Sequence, residues 1–250
     1  MPGGQMSSVQ GAPYSATIVN ESIQTLADGN RIVQHFTGTT ARDSEGRTRQ
    51  DTALPAIGNM SASNAPHLVF IQDPVAQTAY TLNLTDKTAH KMPAAPTGGG
   101  PVKAMLGAVA VGEQMKMKVG GVATASAGGA FFVQKQVVGN EQAEVHTENL
   151  GTQTMQGVSV GGIRTTRTIA AGEIGNDRPI DIVTEVWTSP ELKTIVYSKR
   201  SDPRMGDQTF QLTNIVRSEP DASLFTIPAD FKVVEGPDSK GNVVFYRPNE

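Results

Sequence analysis

The chain of 250 residues has a net charge of −3, no cysteine, and aromatics at only 5%. The lack of Cys excludes disulfides, thiolate metal sites and cysteine nucleophiles, and the 21 basic residues form no dense run of the kind that duplex nucleic acid requires. No apolar run approaches the roughly 18 residues of a membrane span, and a chain of this length buries enough surface to fold without staples.

Residues 1–13 read as a flexible lead-in. MPGGQMSSVQGA lacks the charged start and apolar centre of a signal peptide. It is read as the remnant left when a signal is trimmed and Met1 added, which points to a periplasmic or extracellular protein. From Tyr14 the signal has period two: Thr17, Val19, Glu21 and Ile23 alternate with Ile18, Asn20, Ser22 and Gln24. The reversals Asp28-Gly29-Asn30 and Asp43-Ser44-Glu45-Gly46 flank Ile32–Thr40, which predicts a hairpin meander continuing through Arg47–Asp51. Residues 52–66 read as loop. His67–Ile71 reads as a buried strand stopped by Asp73-Pro74, with Thr78–Leu84 and Thr88–Lys91 pairing back.

The composition changes over 93–130, a Gly-, Ala- and Met-rich insertion with Gly98-Gly99-Gly100, Gly120-Gly121 and Gly128-Gly129. Such a stretch buries too little to offset its ordering entropy, so it is expected to be mobile. Within it Val102, Met105, Leu106 and Val109 share one helical face, a marginal amphipathic helix over 101–118. Gly107 and Gly112 each weaken that helix by about 1 kcal/mol relative to Ala.

Strand signals resume at Phe131–Val133, Glu148–Met155 and Val158–Ile169, with a turn expected at Gly157 and a bulge at Gly161-Gly162. Pro179–Phe231 then reads as three strands closed by a Pro-flanked apolar plug of Leu224, Phe225, Ile227 and Phe231. Ile180, Ile182, Thr184 and Val186 share one face of its first strand, and Asp181, Val183, Glu185 and Trp187 the other. A four-residue loop of Ser189-Pro190-Glu191-Leu192 puts Thr194 and Val196 on the Trp187 face, and Ile195 and Tyr197 on the Ile180 face. The tail 236–250 adds at most a short strand at Val243–Tyr246. The whole predicts a mainly β fold: a single domain over 14–235 formed by a strongly curved antiparallel meander.

Glu148-Asn149-Leu150-Gly151-Thr152-Gln153-Thr154-Met155-Gln156-Gly157-Val158 resembles the E-x-L-G-x-x-x-x-x-G-V segment of exported bacterial proteins related to outer-membrane lipoprotein-sorting factors. The Asp73-Pro74 hairpin, the Trp187 hairpin and the closing Leu224-Phe225-x-x-Pro228 resemble the same group, notably uncharacterised exported acidobacterial proteins. The resemblance implies a LolA-like half-barrel with one or few helices, whose concave side is covered by helix or loop and, in the characterised carriers, accepts acyl chains.

Candidate chemistry is sparse. His35, His67, His90 and His146 show no i, i+2 or i, i+4 pair, so they read as solvated strand histidines and no metal or cofactor is expected. Asp181 and Glu185 lie about 13 Å apart along a strand, too far to share a proton. Ser159 in Gly157-Val158-Ser159-Val160-Gly161 matches a nucleophile elbow by letter, but the elbow needs a strand–turn–helix and this run is β-rich. The expectation is an exported, non-enzymatic binding module. It would hold an apolar ligand, a lipoprotein or a protein segment, with Trp187, Tyr197, Met105 and Leu106 as contacts. The alternatives are an envelope or filament subunit self-associating through edge strands, and a hydrolase.

Overall fold

The computed structural model describes residues 9–53, 67–93 and 144–235. Side-chain capping sets many of its reversals. Asp28 Oδ1 accepts from Asn30 N (2.9 Å), Asp73 Oδ1 from Val75 N and Ala76 N (2.9 and 2.8 Å), Asp86 Oδ1 from Thr88 N (3.0 Å) and Asp202 Oδ1 from Arg204 N (3.0 Å). Each Asp replaces a backbone acceptor inside its turn, which is why Asp punctuates the sequence where the chain turns back.

The strands are β1 Tyr14–Thr25, β2 Arg31–Arg42, β3 Thr48–Ala53, β4 His67–Asp73, β5 Thr78–Asn83, β6 Thr88–Pro93, β7 Glu144–Met155, β8 Val158–Ile169, β9 Ile180–Ser189, β10 Thr194–Asp202, β11 Gly206–Val216 and β12 Lys232–Glu235. They form one open sheet in the order β12-β6-β5-β4-β3-β2-β1-β11-β10-β9-β8-β7. Every pairing is antiparallel except β12 with β6. Thr52 and Ala53, expected in a loop, continue β3. The only helix among the described residues is a 3-10 turn at Ala222–Phe225.

The sheet is bent, and Arg42 shows which way. Its guanidinium, on β2, donates to the carbonyls of Ala12 and of Leu192, the latter in the β9–β10 turn. On a flat sheet β2 and β10 would stand about 14 Å apart, beyond the reach of one side chain. The face carrying Arg42 and its direct partner Tyr14 is therefore concave. The Arg42 guanidinium also lies 4.9 Å from the Tyr14 ring centroid. Ile18, Val196, Phe210 and Leu212 pack beside Tyr14 on the concave side, each contributing about 1.5–3 kcal/mol by burial.

A second apolar cluster sits on the opposite face. Arg42 pairs with Thr48 and Thr48 with Gln72, so the neighbouring Ile71, together with Val69, points to the convex side, where both join Leu82 and Ala89. The segment after β11 crosses this face. Asp221 caps the 3-10 turn by accepting from Ser223 N (2.8 Å), Phe225 is buried below the Arg47 guanidinium, and Ile227 and Phe231 cover the second cluster. The expected plug is real, and it ends in something the sequence did not announce: β12, running parallel to β6.

Two bulges lie at one level of the β8–β9 hairpin, at Asn149/Gly151 on β7 and at Ile195/Tyr197 on β10. The expected bulge at Gly161-Gly162 is on the partner strand instead, and β8 runs through both glycines. A bulge bends its strand and raises the local twist. The buried parity changes here: Val158, Val160, Trp187 and Ser189 are buried on one side of this level, Ile169 and Ile182 on the other.

Candidate functional site

Register turns the concave face into rows. Direct pairing aligns Asn149, Ile163, Val186, Ser198, Phe210, Asn20 and Phe36 across β7, β8, β9, β10, β11, β1 and β2. Two residues further along each strand the row is Thr147, Thr165, Thr184, Arg200, Gln208, Ser22 and Gln34. The first row is apolar at four of its positions, and the second is polar throughout. Direct partners in an antiparallel sheet share a face with Cβ atoms about 5 Å apart, so each row is a contiguous line of side chains, covered at Ser198 and Phe210 in the middle of the first.

The apolar row borders the packed cluster yet is itself open in part. Ile163 is 51% exposed, Val186 and Phe36 are half-buried, and Val145, two positions beyond Thr147, is 58% exposed. Ser198 lies in the row between Val186 and Phe210, and its hydroxyl, like that of Thr194, is buried without a hydrogen-bond partner among the described residues. Leaving a buried hydroxyl unpaired costs about 1–3 kcal/mol.

Charge is sorted between the two faces of β7–β10. Arg167 and Arg200 are on the concave side, where the Asp202 carboxylate lies 3.5 Å from Arg200 and accepts 2.8–2.9 Å bonds from Arg204. The hydrogen bond from Arg204 holds the Asp202 carboxyl below its ordinary range. The other face of β7–β9 carries Glu144, Glu148, Asp181 and Glu185, with Arg164 bridging Glu148 (3.1 Å) and Glu185 (2.6 Å). Asp181 accepts from the Thr168 hydroxyl at 2.6 Å. The two carboxylates singled out in the sequence thus belong to a hydrogen-bonded surface row.

The residues expected to contact ligand fare unevenly. Trp187 is 8% exposed within the packed cluster, its ring directly above Gly162, where a Cβ would come within 2.5–2.6 Å of it. Tyr197 is not on the Ile180 face. The β10 bulge shifts the register so that Tyr197 lies opposite Trp187, half-buried, its hydroxyl pKa pushed up by burial. Thr194 pairs with Ser189 and so shares the Trp187 face, as expected, and both Thr194 and Val196 are buried. Met105 and Leu106 lie outside the described residues. Ile163 and Phe36, the open apolar positions, were missed because each reads as an ordinary strand residue until register places it in a row.

Ser159 is exposed at the start of β8, opposite Thr154, with no helix following it. His67 contacts the Asp51 carboxylate rather than standing free, and among the described residues no three His, Asp or Glu side chains are placed to hold a metal. A cavity of about 350 Å³ at the β10–β11 turn is lined by Gln24, Asp181, Asp202, Arg204 and Asp207. Its carboxylates are committed: Asp207 accepts from Ser201 (2.7 Å) and pairs with Lys199 (3.0 Å), and its pKa is lowered by the Ser201 and Lys199 hydrogen bonds. No helix among the described residues is long and apolar enough to cross a membrane.

No family model matches the chain, and no curated protein matches it. Solved structures similar to it include an uncharacterized conserved protein from Thermus thermophilus, with a TM-score of 0.42, 8% identity and 90% of each chain covered. A chain of the MucA/MucB complex of Pseudomonas aeruginosa matches with a TM-score of 0.41 and 10% identity over 89% of this chain and 58% of that one. A LolA superfamily protein from Nitrosomonas europaea matches with a TM-score of 0.31 and 6% identity over 86% of this chain and 90% of that one.

Proposed function

We propose that the protein is an exported, non-enzymatic binding module whose concave face holds an amphiphile. The hydrocarbon lies on the open end of the apolar row at Ile163 and Val186, and an anionic group lies over the polar row at Arg200. The observation that carries this reading is the adjacency of the two rows, with Ile163 51% exposed in the first and a cation in the second. An aliphatic chain laid on the first row leaves water, while its charged end meets Arg200 without burying an unpaired charge.

Titration with a dansylated undecanoate, read by emission, tests it. Wild type should bind with a blue shift. Ile163→Asp, which sets a carboxylate in the apolar row, should weaken binding about tenfold, the equivalent of losing one buried side chain. Arg200→Gln should weaken the carboxylate probe more than the matching dansylated alcohol. Absence of binding, or wild-type affinity in both variants, contradicts the proposal.

A further inference from the structure

The outer edge of β7 bears no strand among the described residues. Its first six residues, Glu144–Asn149, are all exposed, and the twelve-residue strand contains neither Pro nor Lys, the residues that commonly blunt an edge. The opposite edge, β12, spans only Lys232–Glu235. The single irregularity in β7 falls at Asn149/Gly151, so a regular pairing surface runs from Glu144 to Asn149.

We infer that this edge docks an extended segment of another protein, one whose basic and apolar residues alternate. Alternation in β7 sets the pattern: Val145, Thr147 and Asn149 face the concave side, and Glu144, His146 and Glu148 face away. A strand added to β7 takes its affinity from main-chain hydrogen bonds and its selectivity from alternate side chains. On the outer face of β7–β9 four carboxylates, Glu144, Glu148, Asp181 and Glu185, meet one cation, Arg164. Basic side chains on the incoming strand complement that row, and apolar ones facing the other way meet Val145. A second copy of β7 would bring Glu144 and Glu148 against the same acidic row, a like-charge arrangement that destabilises cross-strand pairs. This inference does not depend on the amphiphile reading, because the β7 backbone and its outer face carry it.

The test uses a fluorescein-labelled Lys-Val-Lys-Val-Lys-Val peptide, a Glu-Val counterpart and a Lys-Val peptide N-methylated at alternate amides, measured by anisotropy on the full chain. The Lys-Val peptide should bind in preference to the other two, more weakly as salt rises. Bound peptide should slow hydrogen exchange at alternate amides of residues 144–149, which a side-chain contact alone would not do. Glu144→Lys, at a residue whose side chain makes no hydrogen bond or ion pair among the described residues, should weaken the Lys-Val peptide about threefold, the scale of one cross-strand pair. No binding, equal binding of the Lys-Val and Glu-Val peptides, or binding without slowed exchange in 144–149 overturns the inference.

Discussion

Gly162 has one evident purpose: it leaves room for the Trp187 ring, which a Cβ would meet at 2.5–2.6 Å. The atoms in the way are a rigid ring inside the packed cluster, so Gly162→Ala should destabilise the fold by about 1–3 kcal/mol, the usual cost of overpacking. Urea unfolding followed by the emission of Trp187, the only tryptophan, measures this directly. An unchanged midpoint would mean that the ring is not seated there. Asp202 makes a second prediction. It is 2% exposed and its pKa is lowered, chiefly by the hydrogen bond from Arg204. A lowered carboxyl pKa gives stability that is complete above the unfolded value, near 3.9, and is lost as pH falls through the folded value. Asp202→Asn should therefore cost about 2 kcal/mol at pH 7. The gap from wild type should shrink as pH drops below about 4, and a gap unchanged at pH 3 would contradict the assignment.

At the scale of elements, the sequence was most legible where the backbone needs a particular residue. Asp28-Gly29, Asp73-Pro74 and Asp202-Pro203 mark turns because capping, fixed φ and positive φ are local requirements. Several turns nevertheless end on a residue that hides its conformation: Gln77, Lys87 and Lys193 adopt φ of 52°, 54° and 48°. A left-handed residue other than Gly costs roughly 1–2 kcal/mol, partly offset by the entropy that Gly would lose. Lys193→Gly should thus raise stability by up to about 1 kcal/mol, seen as a higher urea midpoint, and a lower midpoint would refute this. The Nζ–Gln10 carbonyl contact that is lost, at 3.4 Å and exposed, is too weak to reverse the sign. The bulges on β7 and β10 were not legible, since they answer to the twist of the β8–β9 hairpin between them. Tyr197 was misassigned for that reason: a one-residue shift exchanges faces.

The whole molecule is a bent sheet with a packed cluster on its concave face and another on its convex face. The second depends on a long-range return of the chain, with Ile227 and Phe231 folding over Val69, Ile71 and Leu82. Phe231→Ala should cost about 2 kcal/mol, less than a fully buried Phe because the ring is only half-covered. The period-two pattern foretold strands, and Pro and Phe spacing foretold the plug. Which apolar residues stay open was not legible, because burial depends on rows assembled from seven strands distant in the chain. Ile163 looks no different from Ile182 in sequence, yet one is 51% exposed and the other 6%.

The concave rows are the central claim, and the cysteine-free chain makes them directly testable. Single cysteines at Ile163 on the concave side and at Glu148 on the opposite face can each carry an acrylodan label, with palmitate then titrated in. The account predicts a blue shift from the label at 163 and none from the label at 148. A response at 148 alone, or equal responses at both, would contradict it.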